Sequence, residues 1–354
     1  MRTEGAEVDQ DTVPGYACGA KDELDGAIQR GLDAVEKLLW RTAKTDQPLI
    51  TGPTTRLLNV DGRRIRPLFA LLSAQFGDPD RPEVTKAATA CEVIHMAMLC
   101  HEEVLEGDTL QRGIDSSKAR WDNNITILAG DMLFAVAAEL VAQLGERAVD
   151  VYTETTTRMA SGQLRHRAGW SPGLTAAQHH ARATADHRAS LLGAACTLAT
   201  LAADAPPEAR ERLRQFAEAY GVADQLAAEL RELFDTPGAD PAAVWQPLEL
   251  RATLPALLVR ESARAEDRWL RELLDRDLRS DEAALADARE LLRRHEAVAY
   301  CVTRLDADVE QLFSLLRQLP EHPATDALRT LADTLRVSTP QPREQPSADR
   351  AGVG

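Results

Sequence analysis

Cysteine is scarce in this chain of 354 residues: there are five, an odd number, with no Cys-x-x-Cys pair. That excludes a disulfide framework and a structural zinc site. Cys91, Cys100, Cys196 and Cys301 lie in apolar helical stretches, where a reduced cysteine acts as a small hydrophobe, and a reducing cytoplasm is the expected compartment. No signal peptide pattern precedes the first helix, and no apolar run reads as long enough to span a bilayer, so the chain is expected not to be membrane-spanning. Alternating strand patterns and internal repeats of fixed period are both missing. Positive charge is in deficit as well. The formal net charge of −15 argues against a nucleic-acid or anionic-membrane binder. An anionic small molecule remains open as substrate, through a local basic patch or a bridging metal.

What is present is helix. Ala, Leu, Arg and Glu dominate, and apolar residues recur at helical spacing over about 21–44, 64–76, the stretch ending near Glu106, 119–143, 146–167, 175–203, 207–234, 241–262, 265–278, 281–296, 297–318 and 324–336. Residues 45–62 read as a Pro/Gly-punctuated connection. Residues 1–20 and the tail 337–354 are polar, aperiodic and expected to be disordered, which leaves one all-α domain over 21–336. Long helices on short turns predict a multi-helix bundle around a shared core.

Within the helix ending near residue 106, Glu102, Glu103 and Glu106 form an i, i+1, i+4 acidic set. Glu102 and Glu106 share a face and repel one another. Such a face is either solvated or holds a hard cation such as Mg²⁺, and on this helix alone the solvated face is the better reading. Gly62-Arg63-Arg64-Ile65-Arg66-Pro67 opens another helix, where exposed N–H groups and guanidinium forks suit phosphate, or simply make a surface patch. His95 lies two turns before Glu102 and could address the same space, or be a satisfied core histidine. Glu229 and Glu232 form a smaller acidic pair beside Arg231, in a pattern that an ordinary surface ion pair also explains. His179, His180 and His187 resemble a metal set at first sight. Asp186 is the only acidic residue near them, so they read as incidental.

Taken in order, GRRIRP, EVIH, the acidic set, QRG, AGD, SGQ, GVADQLAAE and ELRATLP resemble the trans-type polyprenyl diphosphate synthase family, from about residue 21 to 336 and closest to its long-chain members. The resemblance implies an isoprenoid-synthase-type bundle around a central cavity. It also implies a Mg²⁺-dependent prenyltransferase of isoprenoid biosynthesis, which condenses isopentenyl diphosphate with an allylic diphosphate. Metal ligands would be Glu102, Glu103, Glu106, Glu229 and Glu232, with Glu102 and Glu106 facing Glu229 and Glu232 across the cavity. Isopentenyl diphosphate would sit on Arg63, Arg66, His95 and Arg112, with Arg63 in place of the usual Lys.

The allylic side departs from the family. DDxxD is replaced by Glu102-Glu103-Val104-Leu105-Glu106, the first Arg of RRG by Gln111, and the Lys-Thr pair by His187-Arg188. FQxxDDxxD becomes Asp224-Gln225 through Glu232, with Ala228 where a carboxylate belongs and Gln225 kept. Two functions follow: a transferase with a Glu-based metal site, or a catalytically weak partner subunit of a related synthase. A terpene cyclase would keep the metal side and lose the isopentenyl side, the reverse of this chain, and fits worst. Isoprenyl diphosphates are the implied ligands, and a homodimer, or a heterodimer with a related synthase, is the implied assembly.

Overall fold

Leu24, Ile28, Val35 and Leu39 fall on one helical stripe and are all buried, which fixes the first helix, α1 (Asp22–Ala43), against the rest of the molecule. The computed structural model describes residues 22–44, 48–60, 64–106, 110–111, 114–115, 122–168, 170, 173–234, 250–276, 278 and 281–337. The expected disordered ends, and the first part of the helix expected over 241–262, lie outside these.

After α1 come α2 (Pro48–Val60), α3 (Ile65–Ala74) and α4 (Pro82–Glu106). Every residue of α4 from Ala87 to Cys100 is buried. A helix apolar nearly all round belongs at the centre, and α4 packs against α1 and α3 on one side. The remaining helices are α5 (Asn123–Ala142), α6 (Glu146–Ala168), α7 (Ala176–Thr184), α8 (Ser190–Ala202), α9 (Pro207–Phe234), α10 (Leu254–Glu261), α11 (Arg268–Leu274), α12 (Glu282–Arg293), α13 (Glu296–Leu316) and α14 (Pro323–Asp333). Helices α5 and α8 cover the other sides of α4, and α9 packs on α8 and α13. The all-α bundle expected from the periodicity is the fold observed.

Three local expectations are corrected. The connection at 45–62 contains α2, with Pro53 inside it. Proline removes one helical N–H, but buried Leu57 and Leu58 hold the helix in place. The hydroxyl of Thr54 also reaches back 2.7 Å to the carbonyl of Ala43. Tertiary burial outweighs the local breaker. Second, a minimal antiparallel ladder pairs Leu110–Gln111 with Ile114–Asp115. Third, α5 is long and apolar enough to cross a membrane by length and composition, with a mean hydropathy of 1.9. One face of it, through Ala129, Gly130, Leu133 and Ala137, is buried, and it packs on α4.

The pattern over 175–203 is not one uniform helix. Residues Ala185–Ala189 between α7 and α8 form a π-helical turn, a device that usually marks a functional position. Helix α6 braces this turn with one face. Arg158 donates to Asp186 at 3.3 Å and to Glu218 of α9 at 2.8 Å, and Arg165 pairs with Asp186. Between these arginines, a Cβ on Gly162 would lie 2.5 Å from the backbone nitrogen of His187. Only glycine lets α6 approach the turn so closely, which accounts for the Ser-Gly-Gln break in that helix.

Candidate functional site

The braced turn presents His187 to α4. Its Nε2 donates to Glu102 Oε1 at 2.8 Å, and both side chains are about nine-tenths buried. Burial alone would push the Glu102 carboxyl up. The His187 hydrogen bond and the charges of His187, Arg188 and His95 outweigh it and bring Glu102 down to about 2. Glu102 is therefore ionised, and the imidazole nitrogen facing it carries the proton. The neighbouring Glu103 is wholly buried and forms an ion pair with Arg56 of α2.

A second carboxylate is held by the same stretch of chain. Two turns before His187, His180 of α7 donates to Glu229 Oε1 at 2.7 Å. Gln225, one turn earlier on α9, donates to that oxygen at 2.9 Å, and the backbone N–H of Leu254 donates to Oε2 at 2.9 Å. Burial opposes ionisation here too, yet His180, Gln225 and Leu254 together lower the carboxyl below its ordinary range. Glu232 lies on the half-exposed side of α9 and pairs with Arg289 at 3.1 Å.

The histidine trio read as incidental is thus part of the site. His180 and His187 tie the two acidic helices, α4 and α9, to one segment. His179 stacks flat on Trp170, ring centres 6.4 Å apart. Burial, then the charges of His180 and Arg165, lowers its pKa. The seven-residue spacing of His180 and His187 was a usable signal in the sequence; its target carboxylates were not. Arg56 carried no signal at all, since its helix read as a connection.

The basic cluster divides. Arg64, the N-cap of α3 with a left-handed φ of 39°, donates to Glu36 at 3.0 Å, to Glu92 at 3.2 Å and to the carbonyl of Leu58 at 2.9 Å. It anchors α1 to α4. Arg66 is half-buried on α3 and makes no hydrogen bond or ion pair among the described residues. His95 is buried on α4, close enough to act on the charge of Glu102. Arg63 and Arg112 lie outside the described residues, as do the side chains of Glu106 and Gln111. Arg188 is half-buried beside the Glu102–His187 pair and makes no hydrogen bond or ion pair among the described residues.

Gln225 orients Glu229 within α9, a different task from the expected contact to an allylic diphosphate. The alanine-glycine-aspartate of α5 is also structural. A Cβ on Gly130 would lie 2.5 Å from His101 Nε2, and Asp131 approaches the same nitrogen at 3.3 Å.

Mg²⁺ needs several open oxygens in near-octahedral array. Glu229 has both oxygens engaged, Glu103 is held by Arg56, Glu102 has one oxygen on His187, and Ala228 offers none. No three acidic, histidine or cysteine side chains converge to hold a metal among the described residues. As they stand, these residues do not fit the cation.

Comparison with known proteins agrees with the fold. The sequence profile described as Polyprenyl synthetase matches residues 47–292. Nonaprenyl diphosphate synthase of Mycobacterium tuberculosis is 32% identical over 87% of this chain and 92% of its own length. Heptaprenyl diphosphate synthase component 2 of Geobacillus stearothermophilus is 31% identical over 85% and 93%. Among solved structures, geranylgeranyl pyrophosphate synthase of Corynebacterium glutamicum, complexed with calcium and isoprenyl diphosphate, is 29% identical. It covers 90% of this chain and 98% of its own, with a TM-score of 0.77.

Proposed function

The chain belongs to the polyprenyl synthetase family, and from that premise we propose that it is a prenyl-transferring synthase that extends an allylic diphosphate with isopentenyl diphosphate. The observation that carries this reading is the convergence of the two acidic helices on one segment. Glu102 from α4 and Glu229 from α9 meet His187 and His180, seven residues apart, as a reaction centre between those helices requires.

In this reading Arg66 and His95, with Arg63 and Arg112, hold the isopentenyl diphosphate. Arg188 faces the diphosphate that leaves the allylic partner. Fixed cations of this kind align two diphosphates so that the reacting carbons meet, and they stabilise the charge that develops on the leaving group. The relative solved with calcium makes a divalent metal, Mg²⁺ in the expected reading, the usual companion of such a site. Among the described residues, no three acidic, histidine or cysteine side chains converge to hold it.

The test is incubation of the purified protein with isopentenyl diphosphate and labelled allylic diphosphates of several lengths, followed by analysis of product length. Elongated products support the synthase. The second reading, a partner subunit with little activity of its own, is favoured by the engagement of Glu102, Glu103 and Glu229 with protein partners. The relative that is a component of a heptaprenyl synthase points the same way. An inert chain that raises the output or changes the product length of a co-expressed related synthase would establish it. Either reading uses a dimer, and the exposed outer face of α5, with Ile127 and Leu128, is the surface we assign to it.

A further inference from the structure

We propose that His180 and His187, delivered by the single segment α7–π turn–α8, occupy the positions at both acidic motifs that a divalent cation would otherwise take, leaving Arg188 as the group that meets a diphosphate directly. The metal half of this proposal stands on geometry alone; the diphosphate half rests on the synthase reading above.

Three observations carry it. First, the two contacts are independent, at 2.7 and 2.8 Å, and they satisfy carboxylates from different helices. One histidine near one glutamate would be ordinary; two from one segment, two turns apart, each on a different acidic motif, make a clasp. Second, the segment is held by design of the packing. Arg158, Gly162 and Arg165 fall at i, i+4 and i+7 on α6, and all three act on the π-helical turn that sets the direction of His187. Third, the centre is rich in imidazole where lysine is missing. No lysine follows Lys118, whereas His95, His101, His166, His179, His180 and His187, six of the eight histidines, belong to α4, α6, α7 and the π turn.

Ala228 completes the pattern. A carboxylate at that position would lie beside Glu229 and Glu232 and would need a counter-charge beyond His180. Its absence matches a motif reduced to one buried acid held by one imidazole and one amide. Arg188 follows His187 directly. Its guanidinium acts on Glu102 through charge but is bonded to no group among the described residues, so its donors are open to an anion.

The experiment uses the full chain and two probes. Mg²⁺ alone is titrated while the imidazole ¹⁵N resonances of His180 and His187 are followed, assigned through His180→Gln and His187→Gln. Unshifted resonances are expected. Displacement of either imidazole by Mg²⁺, abolished in Glu102→Gln or Glu229→Gln, overturns the clasp. Inorganic diphosphate and an allylic diphosphate are then titrated by calorimetry in EDTA and in Mg²⁺. Equal affinity in the two buffers, weakened about tenfold in Arg188→Ala, is expected, since a charge-assisted hydrogen bond is of that size. Binding that needs Mg²⁺ overturns the direct role of Arg188. If neither diphosphate binds in either buffer, the substrate reading itself fails, while the imidazole resonances still decide the clasp. Circular dichroism of each variant separates lost binding from lost fold.

Discussion

Glu102 and His187 are joined at 2.8 Å across 85 residues of chain, and each is the other's counterpart in a nearly dry environment. Removing one member leaves the other buried without compensation, which typically costs about 3–5 kcal/mol. His187→Ala should therefore lose about 3 kcal/mol in urea unfolding. The double replacement Glu102→Leu with His187→Leu should be milder than His187→Ala alone. Equal losses from both would mean that a buried, uncompensated Glu102 is not what costs the stability.

The same pair sets a response to acid. The Glu102 carboxyl falls from an ordinary 4.5 to about 2 in the folded protein. A carboxyl lowered by folding adds stability above its unfolded value, and that contribution disappears as pH falls through the folded one. Stability should decline below about pH 4.5, by on the order of 3 kcal/mol at pH 2 from this group, with Glu229 adding in the same direction. Glu102→Gln should flatten that limb of a pH–stability curve measured by thermal unfolding. An unchanged acid limb would assign the sensitivity to other carboxylates.

Arg66 should contribute to ligand binding and little to the fold, because it has no partner among the described residues. Arg66→Ala is expected to weaken isopentenyl diphosphate about tenfold in calorimetry with an unchanged melting temperature. Unchanged affinity counts against its place in the site.

A cation-binding centre should be recoverable by undoing the changes that removed it. Gln111→Arg, His187→Lys and Ala228→Asp together should raise Mg²⁺-dependent diphosphate release from an allylic substrate more than Glu→Asp changes at 102, 103 and 106. Groups that share one transition state act non-additively, so the combined variant is the informative one. If Glu→Asp alone restores turnover, carboxylate length is the defect.

On α5, Leu128 is 53% exposed and Ile127 38%, side by side on an otherwise apolar helix. Leu128→Glu should convert a dimer to a monomer in light scattering behind size exclusion. A dimer that persists would place the interface elsewhere.

The helices were legible because long buried faces repeat a strong period, as Leu24, Ile28, Val35 and Leu39 do in α1. Helix α2 was hidden because Pro53 and Gly52 speak locally against helix, while the burial of Leu57 and Leu58 that overrides them is a tertiary fact. The acidic positions were legible from motif order. Their partners were not: Arg56 for Glu103 and His180 for Glu229 are contacts between distant segments, and spacing within one helix cannot announce them. Gln225 shows the converse. Its position was read and its task was not, because an i, i+4 bond to Glu229 competes with any outward contact.

A π-helical turn holds one residue more than the α-helical turn it replaces, and the turn at Ala185–Ala189 stands between His180 and Ser190. Deleting one residue there would let α7 and α8 run on as a single regular helix. The flanking helices would keep their places while the residues of the turn itself, His187 among them, shift by about 100° of helix. His180 and His187 could no longer serve Glu229 and Glu102 together. This stretch is therefore sensitive to chain length as well as to composition: a lineage could part the two acidic helices with one lost codon, every remaining side chain unchanged.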